Sequence, residues 1–205
     1  MMRKDEALLV FGRHPELGKV KTRLARGIGE HAALSAYEGM LRSTLDLAAG
    51  QVALGRRVAV WVDPADRLEA FRRSWGRDLD CRPQPKGPLG ERLASAETEA
   101  RREGSSRVVL IGSDCPPLQE RHLEEAFTVL RTSPAVLGPA LDGGYYLVGL
   151  SREIPGVFEG IPWSTPAVLD KTLERLAEAG IRPMMLETLQ DVDEAKDLNP
   201  LEAGP

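Results

Sequence analysis

The sequence predicts an α/β/α three-layer sandwich built on a mainly parallel, mixed sheet. Three observations carry that prediction. Short apolar runs closed by Gly or Asp recur at Ala7–Phe11, Val58–Val62 and Val108–Gly112, as buried parallel strands do. Longer segments with apolar residues at helical spacing lie between them, such as Ala33, Tyr37, Met40, Leu41 and Ala48. Two further runs, Ala135–Gly138 and Tyr145–Leu150, crowd around a Gly-Gly turn, which predicts a mixed rather than a purely parallel sheet.

Taken in order, Ala7–Phe11 reads as the first strand, stopped by Gly12. A Gly- and base-rich loop, Gly12–Gly29, leads into a helix over Glu30–Ala49 whose end Gly50 and Gly55 bracket. Val58–Val62 is the second strand, and Asp63-Pro64 marks a turn before a short helix at Leu68–Trp75. Leu79–Arg82 is a short third strand, and the tight loop Gln84–Gly90 precedes a helix over Glu91–Glu103. Val108–Gly112 is a strand that Pro116 and Pro117 prevent from continuing, with a helix after it at Leu123–Arg131. Beyond the Gly-Gly turn, Pro166–Ala179 reads as helix and Met184–Leu189 as strand, before a short helix and a frayed tail. No repeat, linker or low-complexity segment divides the chain, so residues 1–205 read as one domain.

Composition narrows the function. With 42% hydrophobic and 28% charged residues the chain has ordinary globular make-up, and a net charge of −4 argues against a general nucleic-acid binder. Two cysteines, Cys81 and Cys115, are too few for a disulfide framework or a thiolate cluster and read as reduced thiols. The start MMRKDEALLVF has too short an apolar run for a signal peptide, and nothing approaches the roughly 20 apolar residues of a membrane span. The expected setting is therefore cytoplasmic. The sequence leaves the oligomeric state open.

The chemistry is expected at the carboxyl ends of the strands, where open α/β sheets hold their ligands. After the first strand, GRHPELGKVKTRLA combines Gly18 and Thr22 with the cations Lys19, Lys21 and Arg23, a composition suited to a phosphate chain. It is not a P-loop, because five residues separate Gly12 from Gly18 and Val20 follows Lys19. At the end of Val108–Gly112 stands Asp114, either a turn residue before Pro116 or a magnesium ligand, since that ion takes one or two carboxylates with substrate oxygens. Asp193 is the candidate second acid and equally a candidate helix cap, and whether Asp191 also ligates is open. In GPALDGGYY, Asp142 with Gly143, Gly144 and Tyr145 reads as a hairpin turn or as an acceptor-binding edge, with Asp142 as a hydrogen-bond acceptor or base. Gln84, Gly87, Gly90 and Arg92 suit a nucleobase edge or a phosphate, and Trp163 and Thr165 suit an acceptor pocket. The three histidines are scattered, and no Gly-x-Ser-x-Gly elbow supports a hydrolase.

These segments, in this order, resemble a bacterial family of GT-A-fold transferases, glycosyltransferase-like and associated with radical-SAM or selenium-related gene neighbourhoods. The likeness rests on Gly18-x-Val20-Lys21-Thr22-Arg23-Leu24, Gly112-Ser113-Asp114-Cys115-Pro116, Gly138-Pro139-x-x-Asp142-Gly143-Gly144-Tyr145-Tyr146, Trp163-x-Thr165 and Asp191-Val192-Asp193-x-x-x-Asp197-Leu198. The wider superfamily includes molybdenum-cofactor and 2-phospho-lactate guanylyltransferase types. The resemblance implies a nucleotide-diphospho-sugar transferase-like fold, a nucleotide-binding N-terminal half and an acceptor-binding C-terminal half. It also implies that Asp114 and Asp193 hold Mg2+ or Mn2+. Two departures are local: Glu194-Ala195-Lys196 replaces the middle of a Thr-Pro-Glu-Asp-Leu-like turn, and His14 stands where many relatives carry a small or apolar residue.

Fold does not fix reaction. Crowded cations favour nucleotidyl transfer from a nucleoside triphosphate to a phosphorylated small molecule, with Lys21 and Arg23 on the phosphates and Asp142 beside the acceptor. Glycosyl transfer from a nucleotide sugar is the alternative chemistry, and a catalytically silent nucleotide-binding module is the alternative class.

Overall fold

The computed structural model describes residues 4–76 and 78–198. The tail expected at the carboxyl end and the first three residues of the N-terminal reading lie outside the described residues. Seven strands form one sheet: β1 (Glu6–Arg13), β2 (Arg57–Asp63), β3 (Asp80–Pro83), β4 (Arg107–Ile111), β5 (Ala135–Pro139), β6 (Tyr145–Leu150) and β7 (Met184–Met185). Their spatial order is β3-β2-β1-β4-β6-β5-β7. Only β6 runs antiparallel to its neighbours β4 and β5, so the sheet is mixed and mainly parallel.

Strand alternation sends Leu8 and Val10 to one face of β1 and Ala7 and Leu9 to the other, and each face builds its own core. The first core takes Ala33, Tyr37, Leu41, Leu45 and Ala48 from α2 (Glu30–Ala53), Phe71 from α3 (Leu68–Ser74), and Leu123 and Phe127 from α5 (Glu120–Val129). The second takes Leu93, Ala96 and Ala100 from α4 (Leu89–Arg102) and Leu176 from α6 (Val168–Glu178). Three layers result, as the strand–helix alternation requires. Among the described residues, no helix is long and apolar enough to cross a membrane.

Three elements differ from the sequence reading. The basic loop contains a short helix of its own, α1 (Thr22–Ile28), separated from α2 by Gly29 at φ +87°. The second helix runs past the expected Ala49 to Ala53, so its end falls between Gly50 and Gly55 as read, and Gly55 at φ +83° makes the turn. The expected strand Met184–Leu189 is regular only at Met184–Met185, after which Leu186 and Leu189 still donate to the carbonyls of Leu137 and Pro139.

This topology gathers the motifs at one edge. The chain runs outward from β1 to β3 and returns to β4 on the other side of β1, so the crevice beyond β1 and β4 is the switch point of the sheet. Antiparallel β6 starts at that same edge, because Leu147 pairs with Ile111. The Asp142 turn and the loop after β4 therefore face the same crevice as the basic loop after β1.

Candidate active site at the switch point

Asp114 leaves β4 in the loop Gly112–Leu118, whose direction two bonds control. Its carbonyl accepts the Val192 N–H at 3.0 Å, which ties the C-terminal acids to the strand end. The preceding residue, Ser113, shares a 3.2 Å hydrogen bond with the Tyr37 hydroxyl, which also accepts the Arg13 N–H at 2.8 Å. Tyr37 thus joins the ends of β1 and β4 to α2, and burial pushes its phenol pKa up. The sequence reading counted Tyr37 only as core, because its helical spacing concealed the hydroxyl's work.

Between the strand ends sits Lys21, whose side chain is 6% exposed. Its Nζ donates to Asp114 Oδ2 at 3.0 Å and to Asp193 Oδ1 at 3.5 Å. Arg23 Nη1 donates to Asp193 Oδ2 at 3.0 Å. Burial works to lower the Lys21 pKa, but Asp114, Asp193 and Asp191 outweigh it and hold the ammonium above the ordinary lysine value. Lys21 also has φ +47°, a left-handed conformation costly for a side-chain-bearing residue and one that clusters at functional sites. Lys19, by contrast, is exposed in the Glu16–Lys19 turn that Gly18 makes at φ +70°.

Asp193 is free to face Lys21 because its neighbours do the capping. Asp197 Oδ2 accepts the N–H groups of Asp193 at 3.1 Å and of Glu194 at 2.7 Å, closing a 3-10 turn over Ala195–Asp197 in which Glu194 is the N-cap. Capping was one reading of Asp193 from sequence, and the turn assigns that job elsewhere. Asp191 is half-buried; desolvation first, then Asp142 and Asp114, push its carboxyl up to about 6. Acidic charge at this edge therefore exceeds what Lys21 and Arg23 neutralise.

The Asp142 segment is a hairpin turn. Ala140 N–H donates to Gly144 O at 3.0 Å, and Asp142 Oδ1 accepts the Gly144 N–H at 2.7 Å. Gly143, at φ +89°, sits where a Cβ would collide with the Pro166 backbone, and its carbonyl accepts from Leu169 N–H at the start of α6. Tyr145 is partly buried, its ring edge-on to Trp163 at 6.3 Å, and burial pushes its phenol up. Thr165 turns inward on its own loop, donating to Pro162 O at 2.7 Å. Gly90 is buried at the start of α4, where a Cβ would lie 3.0 Å from Trp163 Nε1 and strike the Phe158 carbonyl. The Gln84 amide donates to Gly12 O and Trp61 O, and its carbonyl accepts Arg92 Nη1 at 3.0 Å. Among the residues singled out from sequence, the structure brings Lys21, Arg23, Asp114 and Asp193 into one cluster with Asp142 and Asp191 at its border. It gives Gly90, Thr165 and the Gln84 amide mainly structural partners.

Among the described residues, no three His, Cys, Asp or Glu side chains gather closely enough to hold a metal ion by themselves. Two carboxylates reached by one ammonium are a different pattern. Oxygen-only donors of that kind suit a hard divalent ion that completes its shell with substrate oxygens and water.

The fold and the strand-end acids define a GT-A-like α/β protein of the nucleotide-diphospho-sugar transferase type. Residues 46–165 match the family described as "uncharacterized protein conserved in bacteria", DUF2064, and the chain belongs to that family. It is 31% identical over 137 residues to a 3-phospho-D-glycerate guanylyltransferase of Phenylobacterium zucineum (strain HLK1), spanning 66% of this chain and 62% of that relative's length. A crystal structure from Desulfovibrio desulfuricans G20, provisionally named a nucleotide-diphospho-sugar transferase, superposes with a TM-score of 0.90 at 34% identity. That alignment covers 98% of this chain and 87% of the other. The manganese complex of Rv0371C from Mycobacterium tuberculosis H37Rv shares the fold at a TM-score of 0.57 and 19% identity, covering 98% of this chain and all of that one, 100%.

Proposed function

We propose that the protein is a nucleotidyltransferase that moves a nucleoside monophosphate from a nucleoside triphosphate to a phosphorylated small-molecule acceptor. The observation that carries this reading is the meeting of Asp114 and Asp193 on one buried ammonium beside the basic loop. The guanylyltransferase relative supports the same chemistry. Free nucleoside triphosphate as donor suits the cytoplasmic setting read from the sequence.

In the reaction, an oxygen of the acceptor phosphate attacks the α-phosphorus, the bond to the bridging oxygen breaks, and pyrophosphate leaves with that electron pair. Lys21, Arg23 and exposed Lys19 have the charge to hold donor phosphates, and Gly18 and Thr22, on either side of Lys21, would add backbone N–H groups. Asp114 and Asp193 would hold a magnesium or manganese ion, which supplies positive charge against the developing charge on the phosphoryl oxygens. Lys21 would then exchange carboxylate partners for phosphate. Arg92, whose Nη1 donates to the Gln84 carbonyl at 3.0 Å, would reach the base from the segment after β3, with Gln84 and Gly90 fixing that segment. Asp142, with one oxygen engaged by Gly144, retains another that can accept from an acceptor hydroxyl; Gly143, Gly144, Tyr145, Trp163 and Thr165 would shape that side.

A second reading, glycosyl transfer from a nucleotide sugar, has the name of the 34% identical neighbour in its favour. Incubation with a panel of triphosphates and nucleotide sugars, with acceptor and Mg2+, separates the two by product. Pyrophosphate is the expected release; nucleoside diphosphate with transferred sugar would replace the proposal by the second reading, and no turnover would reject both.

A further inference from the structure

A cavity of about 240 Å3 lies between α4 and the sheet face that it covers, on the β3 side. It reaches the amino ends of the strands, since Ala7 and Arg57 pair at the starts of β1 and β2, and Ser105 just precedes β4. Lys21 and Asp114 belong to the opposite edge. Alanines wall the cavity: Ala7 and Ala59 on the sheet face Ala96 and Ala100 on the helix. The layers thus leave a flat slot where protein interiors ordinarily keep few voids larger than a water. Two polar groups of the lining are buried without a partner among the described residues, the indole N–H of Trp61 and the hydroxyl of Ser105, each residue 3% exposed. Phe11 stacks on the indole at 6.2 Å and the Arg82 guanidinium lies 5.9 Å from its ring centre, so the ring's faces are engaged and its N–H edge is left for the slot. At the mouth Arg57 and Arg82 stand against Asp80 and Glu103, so the charges there cancel. Arg82 spans the opening, donating to Asp80 at 2.5 Å and to Glu103 at 2.6 Å.

Water fits the slot poorly. Each buried water takes about 30 Å3 and needs about two to four polar partners, so about eight waters would share two free polar groups between alanine walls. An engineered apolar cavity of about 150 Å3 takes benzene, and by that scale the slot takes about ten non-hydrogen atoms. We infer that the slot is a ligand-binding site separate from the catalytic edge, for a neutral, planar single-ring molecule with a hydrogen-bond acceptor at one end. The flatness follows from alanine on both walls and the neutrality from the balanced rim. The acceptor follows from Trp61, whose N–H can only donate. Ser105 meets a second polar group at the other end: its neighbour Ser106 bonds Asp5 ahead of β1, whereas Trp61 pairs with Phe11 far along that strand. The site does not depend on the nucleotidyl-transfer reading.

The probe is 4-hydroxybenzamide, a ring of that size with an amide carbonyl at one end and a hydroxyl at the other. Nitrogen-15-labelled protein displays the indole N–H signals of Trp61, Trp75 and Trp163, and Trp61→Phe identifies the first. On titration the Trp61 signal is expected to shift downfield and saturate while the other two stay in place. Calorimetry should show the amide bound about two- to tenfold more weakly by Trp61→Phe, the range for one lost hydrogen bond. The charged analogue of the same shape, 4-hydroxybenzoate, should bind the wild type about tenfold more weakly or worse. Ala100→Leu fills the slot and should abolish the shift, with Tm as the check on folding. A Trp61 signal that the amide leaves in place, as a slot holding only water would, overturns the inference. So do equal binding of the carboxylate, undiminished binding to Trp61→Phe, and a shift that survives Ala100→Leu. Should Ala100→Leu fail to fold, the comparison of amide with carboxylate on the wild type still decides.

Discussion

Replacing Lys21 with Met removes the ammonium that Asp114 and Asp193 share while keeping the length of its apolar stem. The wild-type pair is asymmetric: the lysine side chain is 6% exposed, the carboxylates 46% and 37%. Breaking a fully buried ion pair costs about 3–5 kcal/mol, but half-exposed acids recover hydration, so the loss here is about 1–2 kcal/mol. The sign follows from the lysine, whose attraction to the acids outweighs the cost of its burial. For a chain of this size that loss lowers Tm by about 2–8 °C in EDTA. Added Mg2+ should then act more strongly on the variant, because the ion no longer competes with an ammonium, and at about one hundred times its Kd it returns about 2.7 kcal/mol. Differential scanning fluorimetry at pH 7.5, with EDTA and across a Mg2+ titration, reads both effects. A variant as stable as the wild type in EDTA, with the same small response to Mg2+, would show that the two acids do not form a shared cation site.

Three further outcomes follow from the same geometry. Gly27→Val drives a branched side chain into Ala195, and should push the turn off α1 and weaken divalent-ion binding more than global stability, read by calorimetry beside urea unfolding. Arg56→Met should cost about 2–3 kcal/mol in urea unfolding, because Glu6, 1% exposed, loses the 2.8 Å bond from Arg56 Nε and keeps the more distant Arg107 at 3.5 Å and Arg131 at 3.9 Å; Glu6→Gln in the same chain should recover part of it. Asp191 has a folded-state pKa raised to about 6 from 3.8, so its charged form costs stability, and that cost grows as pH rises from about 4 through 6. With a discount for solvent screening, Asp191→Asn should stabilise the metal-free protein by about 1 kcal/mol above pH 6 and by nothing below pH 4, visible as converging Tm curves.

Much of the fold was legible because buried parallel strands are continuous apolar runs: Ala7–Phe11 and Val58–Val62 stand inside the observed strands, and Val108–Gly112 overruns its strand only at Gly112. Boundaries slipped where a local rule met tertiary packing. The helix expected over Glu30–Ala49 continues to Ala53, where Gln51 is buried and accepts from Arg56 through both its side-chain and its main-chain oxygen. Met184–Leu189 looks like a full strand, yet it follows β5 regularly for two residues only and continues as single hydrogen bonds. In the site, acids at strand ends were readable from position alone. Partnership was not: nothing in the order Lys19, Lys21, Arg23 says that Lys21 turns inward at φ +47° while Lys19 stays in solvent. Ser113 and Tyr37 escaped notice for the opposite reason, since a hydroxyl that ties two loops together leaves no periodic trace.

Manganese binding followed by electron paramagnetic resonance, with GTP present, bears most directly on the claim that Asp114 and Asp193 form one divalent-ion site. The wild type should bind one ion per chain, and Asp114→Asn and Asp193→Asn should each weaken that binding about tenfold or more while the chain stays folded. Manganese affinity unchanged by either substitution would contradict the account.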